Sequence, residues 1–209
     1  MKTINPYSEE YFNEQLKKYN NVIQTFYRGE AGRMRTEQNR HSFKTANITL
    51  KYEDEVFTRL DGYMYDDLRQ WSNFPVLEEN GNLWMSVTPL EITSQYTPIK
   101  LSEGDVGVAG LGLGYFMQNI LNKPAVKSVT VYEINKNIIK LYEENFGKHP
   151  KLNIKNKNVL EVEGKSFDFF YTDIYQELLP KSVVTDMYKI IGQNTIESYF
   201  FWGLEAMFI

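Results

Sequence analysis

The sequence predicts an α/β protein whose C-terminal half is a parallel sheet with helices on both faces, and three observations carry this. From about Leu101 onward, short apolar strand-like runs alternate with helix-like runs of modest length. The first of these strands, within Val106-Gly107-Val108-Ala109-Gly110, enters a glycine-spaced loop that is followed by an apolar helix. An acidic residue, Glu133, closes the next strand. Strands that alternate with helices in this way form βαβ units, whose crossovers cover both faces of a parallel sheet.

In order, Ser8, Glu10 and Tyr11 open a helix that runs to about Arg28, with Phe12, Leu16, Tyr19, Ile23 and Phe26 near a helical period. Gly29 and Gly32 break it, and a basic stretch follows at Arg28, Arg33, Arg35, Arg40, His41 and Lys44. Asn47 to Arg59 alternates in part and carries β-branched residues, as strands do. Asp61-Gly62 and the cluster Glu79-Asn80-Gly81-Asn82 are turn signals. The segments LWMSVTP and EITSQYTPI read as short and extended, edged by Pro89 and Pro98.

After the turn at Ser102-Glu103-Gly104-Asp105 and the glycine loop, YFMQNILN reads as helix, VKSVTVYE as strand and NKNIIKLYEENFG as helix. KLNIKN and KSFDFFYTD read as strands, LPKSVVTDMYKII as helix and ESYFFW as a last strand. The change of texture puts a boundary near residue 100. Residues 1–100 are then an N-terminal α+β extension or substrate-side cap, and residues 101–209 the domain built on the parallel sheet.

Composition bounds the chemistry. The chain has 209 residues, 42% hydrophobic and 24% charged, enough for a packed core. It has no Cys and only two His, which excludes cysteine nucleophiles and thiolate zinc sites and disfavours a histidine metal centre. A net charge of −4 disfavours nucleic acid as a partner, and the basic stretch is more economically read as a solvated face. No run approaches the roughly 20 apolar residues of a spanning helix, and the N-terminus lacks a signal-peptide core, so the expectation is a cytoplasmic protein with no membrane partner. Oligomerisation is left open. Tyr63, Tyr65, Trp71 and Trp84 are expected in the core, and both histidines are expected to be incidental.

Gly110-Leu111-Gly112-Leu113-Gly114 lies between a strand and a helix, where a sharp turn needs backbone freedom and helix amides can hold an anion. Glu133 follows at about the 20-residue separation of an acid that binds ribose hydroxyls. Asp173 ends a later strand at the same sheet edge, either as a catalytic carboxylate or as a helix N-cap, with Tyr175 at the same rim. A dinucleotide fingerprint would place its third glycine at Tyr115, and no Gly-Lys-Ser/Thr follows the loop. The pattern fits S-adenosylmethionine better than a dinucleotide or a nucleoside triphosphate.

VGVAGLGLGYF, VKSVTVYEINKNIIKLYEENF and FDFFYTDIY resemble the strand motifs of class I S-adenosylmethionine-dependent methyltransferases, most closely the spermidine-synthase-like group. LWMSVTPLEITSQ, running into the glycine loop, resembles phage-type members of that group. The resemblance covers about residues 83–180 and implies a Rossmann-like class I methyltransferase fold. It implies that Gly110, Leu111, Gly112 and Gly114 line the methionine part of the cofactor, that Glu133 and Ile134 meet the ribose side, and that Asn158 and Val159 lie near adenine. Asp173 would be the carboxylate at the reacting edge.

The chain also departs from that pattern. Val108 replaces the acid that often begins the first motif, Leu113 replaces the loop Asp of polyamine synthases, and the closing antiparallel strands have no counterpart before Ile209. Asp173-Ile174-Tyr175-Gln176 stands where amino methyltransferases carry Asn/Asp-Pro-Pro-Tyr/Phe, and cytosine C5 methylation would need a cysteine. Three readings stay open. One is a methyltransferase acting on a small molecule or a protein, the second an aminopropyl-transferring or S-adenosylmethionine-cleaving enzyme, and the third a non-catalytic module that keeps the fold.

Overall fold

A computed structural model of the chain describes residues 10–19, 43–45, 48–53, 56–59, 68–71, 74–79, 82–176 and 181–204. Its centre is a five-stranded sheet of β7 (Gly104–Ala109), β8 (Val126–Glu133), β9 (Leu152–Asn156), β10 (Ser166–Thr172) and β11 (Thr195–Phe201), in the order β11-β10-β7-β8-β9. Every neighbouring pair is parallel. Helices α4 (Tyr115–Ile120), α5 (Lys136–Phe146) and α6 (Val183–Gln193) make the crossovers. This is the Rossmann-like fold with a parallel sheet that the alternating pattern predicts.

The near-continuous apolar strands follow from burial on both faces. On β10, Phe169 and Tyr171 join Ile120 and Leu141 on one side. Phe167 and Phe170 join Val183 and Ile190 on the other. Each such side chain contributes about 1.5–3 kcal/mol on full burial. Asn135 caps α5 by accepting the Asn137 amide at 2.9 Å, and Gly147 ends it with φ of 68°.

The N-terminal region contributes helix α1 (10–19) and an antiparallel sheet in the order β1-β2-β5-β6. Its strands are β1 (Phe43–Thr45), β2 (Ile48–Glu53), β5 (Phe74–Glu79) and β6 (Asn82–Ser86). Strands β3 (Val56–Arg59) and β4 (Leu68–Trp71) pair separately. Strands β2 and β3 account for the alternation read from Asn47 to Arg59. Glu79 pairs with Asn82 across the β5–β6 hairpin; Asn80 and Gly81, like Asp61-Gly62, Tyr63, Tyr65 and the basic residues Arg28 to His41, lie outside the described residues. Phe12 and Tyr19 of α1, two helical turns apart, are buried in the same core as the parallel sheet.

One segment differs from its sequence reading. Glu91–Ile99 was expected to be extended and is helical, within α2 (Pro89–Ser94) and α3 (Tyr96–Leu101). Both prolines sit in first turns, where no intrahelical donor is needed, so they open helices rather than ending strands. Residues 104 and 105, expected in a turn, begin β7, because they already pair with Val126 and Ser128 of β8.

Among the described residues no helix is long and apolar enough to cross a membrane, and no group of three or more His, Asp or Glu is placed to hold a metal ion.

Candidate cofactor site

The register of the parallel sheet decides which residues meet at its carboxyl edge. Ala109 pairs with Tyr132 and Thr172, and Thr172 with Phe201. Gly110, Glu133, Asp173 and Trp202 are therefore the next residues along four adjacent strands. Their amides extend the ladder: Gly110 donates to the Tyr132 carbonyl at 3.0 Å, Asp173 to Ala109 at 2.9 Å and Trp202 to Thr172 at 2.8 Å. Connections leave β7 and β10 in opposite directions along the sheet, and open α/β sheets bind ligands at such a switch point.

A cavity of about 440 Å³ opens there. It is lined by Gly110, Leu111, Gly112, Gly114, Glu133, Ile134, Asn158, Val159 and Asp173, that is, by every site residue named from the sequence. The glycines adopt φ of 90°, 47° and 77° at 110, 112 and 114, the left-handed region that side chains rarely tolerate. What each would strike is protein. A Cβ on Gly110 would lie 2.0 Å from the Asp173 carbonyl oxygen, one on Gly112 2.3 Å from Met85 Sδ, and one on Gly114 2.6 Å from the Tyr142 ring. The loop needs glycines for its own packing, whatever else approaches it.

Glu133 is buried, and both of its oxygens serve the backbone. Leu111 N–H donates to Oε2 at 3.0 Å and Asn135 N–H to Oε1 at 2.7 Å. The carboxylate thus fixes the glycine loop against the start of α5 while still facing the cavity. Beside it Ile134 is 69% exposed, an apolar surface on the cavity rim. Asn158 caps the short 3₁₀ turn Val159–Glu161, its Oδ1 accepting the Leu160 amide at 3.0 Å, and this turn places buried Val159 against the cavity.

Asp173 is not a helix N-cap: α6 begins at Val183, after Ser182. Its Oδ2 accepts the Tyr171 hydroxyl at 3.0 Å. Tyr175 does lie on the rim, its hydroxyl donating to Asp186 Oδ2 at 3.2 Å, and burial with that carboxylate raises its pKa.

The opposite wall comes from the N-terminal region and was not read from the sequence as part of the site. Trp84 and Met85 of β6, Glu91 of α2 and Gln95, the residue that caps the C-terminus of α2, line it. Trp84, expected in the core, is 38% exposed and faces the cavity instead, because β6 lies at the edge of its sheet. Met85 Sδ accepts the Leu113 amide at 3.1 Å, and the Tyr19 hydroxyl donates to the Leu113 carbonyl, so N-terminal side chains hold both sides of one loop residue. Trp202 Nε1 donates to Ser94 Oγ at 2.9 Å, anchoring α2 over the sheet edge, with Ile92 buried beneath.

Gln95 Nε2 donates to Glu91 Oε2 at 2.9 Å. Burial, and then the nearby Asp173 carboxylate, push the Glu91 carboxyl well above the usual range, against the lowering effect of the Gln95 hydrogen bond. The spacing of Glu91 and Gln95, four apart after Pro89, was the available signal, since on a helix it puts both on one face.

No family model matches the chain, and no curated protein matches it. Among solved structures, it is similar to a spermidine synthase from Thermotoga maritima at 13% identity, TM-score 0.45, over 74% of this chain and 53% of that one. It is also similar to a ribosomal protein L11 methylase from Lactobacillus delbrueckii subsp. bulgaricus at 16% identity, TM-score 0.44, over 55% of this chain and 60% of that one. A 23S rRNA methyltransferase is similar at 22% identity, TM-score 0.38, over 47% of this chain and 38% of that one. The chain spans less than two thirds of each.

Proposed function

We propose that the cavity binds S-adenosylmethionine and that the protein transfers the methyl group to an acceptor at the Asp173 end. The observation that carries this reading is the convergence of nine residues, chosen from spacing and motif, on one cavity at the carboxyl edge of β7, β8 and β10. Its volume lies within the range of small-molecule sites.

The residues present fit the cofactor. Glu133, oriented by two amides, offers acceptor oxygens to ribose hydroxyls. Exposed Ile134 and buried Val159 offer apolar surface to a purine. Near the glycine loop, the Leu113 amide rests on a thioether, a weak acceptor that a carboxylate would displace. The cofactor supplies a methyl group already activated on a sulfonium, so the chain's own task is to bind, align and exclude water. Residues of the first hundred act as a substrate-side cap, with β6 and α2 closing the cavity over the acceptor end.

The test is calorimetry with S-adenosylmethionine and S-adenosylhomocysteine, followed by analysis of products from labelled cofactor. S-adenosylhomocysteine as product supports methyl transfer. Methylthioadenosine would replace that reading with aminopropyl transfer or cofactor cleavage. Absence of binding would leave a non-catalytic module.

A further inference from the structure

The net charge of −4 is unevenly distributed along the chain. From Leu121 to Lys157, the span of β8, α5 and β9, eight lysines stand against three glutamates. From Asn158 to Leu204, the span of β10, α6 and β11, three lysines stand against seven acids. One side of the parallel sheet is therefore basic and the other acidic. Within the basic span several charges are already engaged. Glu133 holds two backbone amides, Glu144 pairs with Lys140 at 3.6 Å, and Lys123 and Lys151 bind backbone carbonyls. Lys155 and Lys157 are exposed, and no acid among the described residues pairs with either.

The fold leaves one face of β9 open. Leu152 and Ile154 pack into the core with Ile138 and Leu141 of α5. Strand alternation puts Asn153 and Lys155 on the opposite face. Lys157, whose amide still donates to the Glu133 carbonyl at 3.1 Å, continues that row. Parallel strands are usually joined through a helix that covers the sheet, but β9 and β10 are joined through the 3₁₀ turn Val159–Glu161 alone. Helix α6 lies over β10 and β11, where Val183 and Ile190 pack with Phe170 and Phe201.

We propose that the open face of β9, with Asn153, Lys155 and Lys157 in one row, is a docking track for the phosphate backbone of a single-stranded nucleic acid. Cations at alternate strand residues stand about 6.6 Å apart and suit a linear polyanion with regularly spaced charges. A membrane asks for a plane of cations with apolar side chains to insert, and this face presents neither. The acidic β10–β11 side repels the same strand and keeps it along β9. The overall charge of −4 does not oppose this, because salt screens exposed charges beyond about 8 Å. None of the three residues lines the cavity, so the surface does not depend on what the cavity binds.

The test uses the full chain and fluorescence anisotropy with labelled oligouridylate and oligothymidylate of equal length, titrated over a range of salt. Lys155→Gln combined with Lys157→Gln should weaken binding at least about tenfold at low salt. It should also flatten the slope of log affinity against log salt by about 1.4, the share of two phosphate contacts on a single strand. Lys165→Gln combined with Lys189→Gln, on the acidic side, should leave affinity within about twofold. Saturable binding of either oligomer that responds in this way supports the proposal.

No saturable binding of either oligomer, or equal losses in the two double variants, overturns it. Tighter binding to phosphatidylserine vesicles than to either oligomer would replace the nucleic acid with a membrane surface. If the β9 variant self-associates while its oligonucleotide affinity is unchanged, the lysines serve only to protect a sheet edge and the docking track falls.

Discussion

On the glycine-loop wall of the cavity, Glu133 takes the amides of Leu111 and Asn135, Met85 takes that of Leu113, and the Asp173 amide continues the sheet ladder. On the α2 wall, Glu91 is held protonated beyond its usual range and Gln95 keeps a buried carbonyl without a donor. The glycines and the acid of the first wall are needed for packing and turn geometry whether or not anything binds, although the buried Tyr115 hydroxyl beside them also lacks a partner. The second loses stability for no folding gain, and such sites are where proteins give up stability for function. The glycine signal alone is therefore ambiguous, and the unsatisfied wall is the more informative one.

The largest effect should come from forcing a side chain into the glycine-loop wall. Gly110→Ala puts a Cβ into the Asp173 backbone carbonyl at a left-handed φ, and should cost about 4 kcal/mol or more in urea unfolding. A change below about 1 kcal/mol would show that the loop moves aside easily.

Next, Glu133→Ala strands the buried Leu111 amide and the partly buried Asn135 amide, and should cost about 2–5 kcal/mol in the same measurement. It should also weaken S-adenosylhomocysteine binding. Lost binding with unchanged stability would mean that Glu133 serves the ligand and not the fold.

On the α2 wall the sign reverses. The folded pKa of Glu91 lies above its unfolded value, so the stability linked to its protonation is fully present below the ordinary carboxylate range and is lost as pH rises through the raised value. Glu91→Gln removes that loss. Its melting temperature should exceed that of the unaltered protein at pH 8, and the gap should close toward about pH 4, the ordinary carboxyl range. A lower melting temperature at pH 8 would place Glu91 with the structural residues and erase the contrast between the walls.

The smallest effect is at Met85, where the walls touch. Met85→Leu conserves volume and should change stability by less than about 1.5 kcal/mol. By releasing the Leu113 amide it should tighten S-adenosylhomocysteine binding severalfold, read by calorimetry.

The parallel sheet and its edge were legible because local pattern carried them. Apolar runs of strand length, the 110–114 glycines and Glu133 are close in sequence to what they build, and parallel pairing fixes their meeting place. The α2 wall was not legible for two reasons. Pro89 and Pro98 read as strand punctuation, although in first turns they open helices just as readily. Glu91 and Asp173 are 82 residues apart in sequence, and only the packing of α2 over the sheet edge makes one carboxyl feel the other. Trp84 went astray similarly: an aromatic in a strand is core or cavity wall depending on what lies across from it.

By itself the sequence determined that a glycine-spaced turn, an acid one strand later and a carboxylate at the edge belong to one Rossmann-like crevice, since βαβ geometry leaves little freedom once strands and helices are set. Only the tertiary structure decided what closes that crevice. Which side chains of β6 and α2 face it, which of them stay unpaired, and which carboxyl holds its proton depend on burial and on neighbours remote in the chain. Desolvation and unmade hydrogen bonds do not exist until the walls come together.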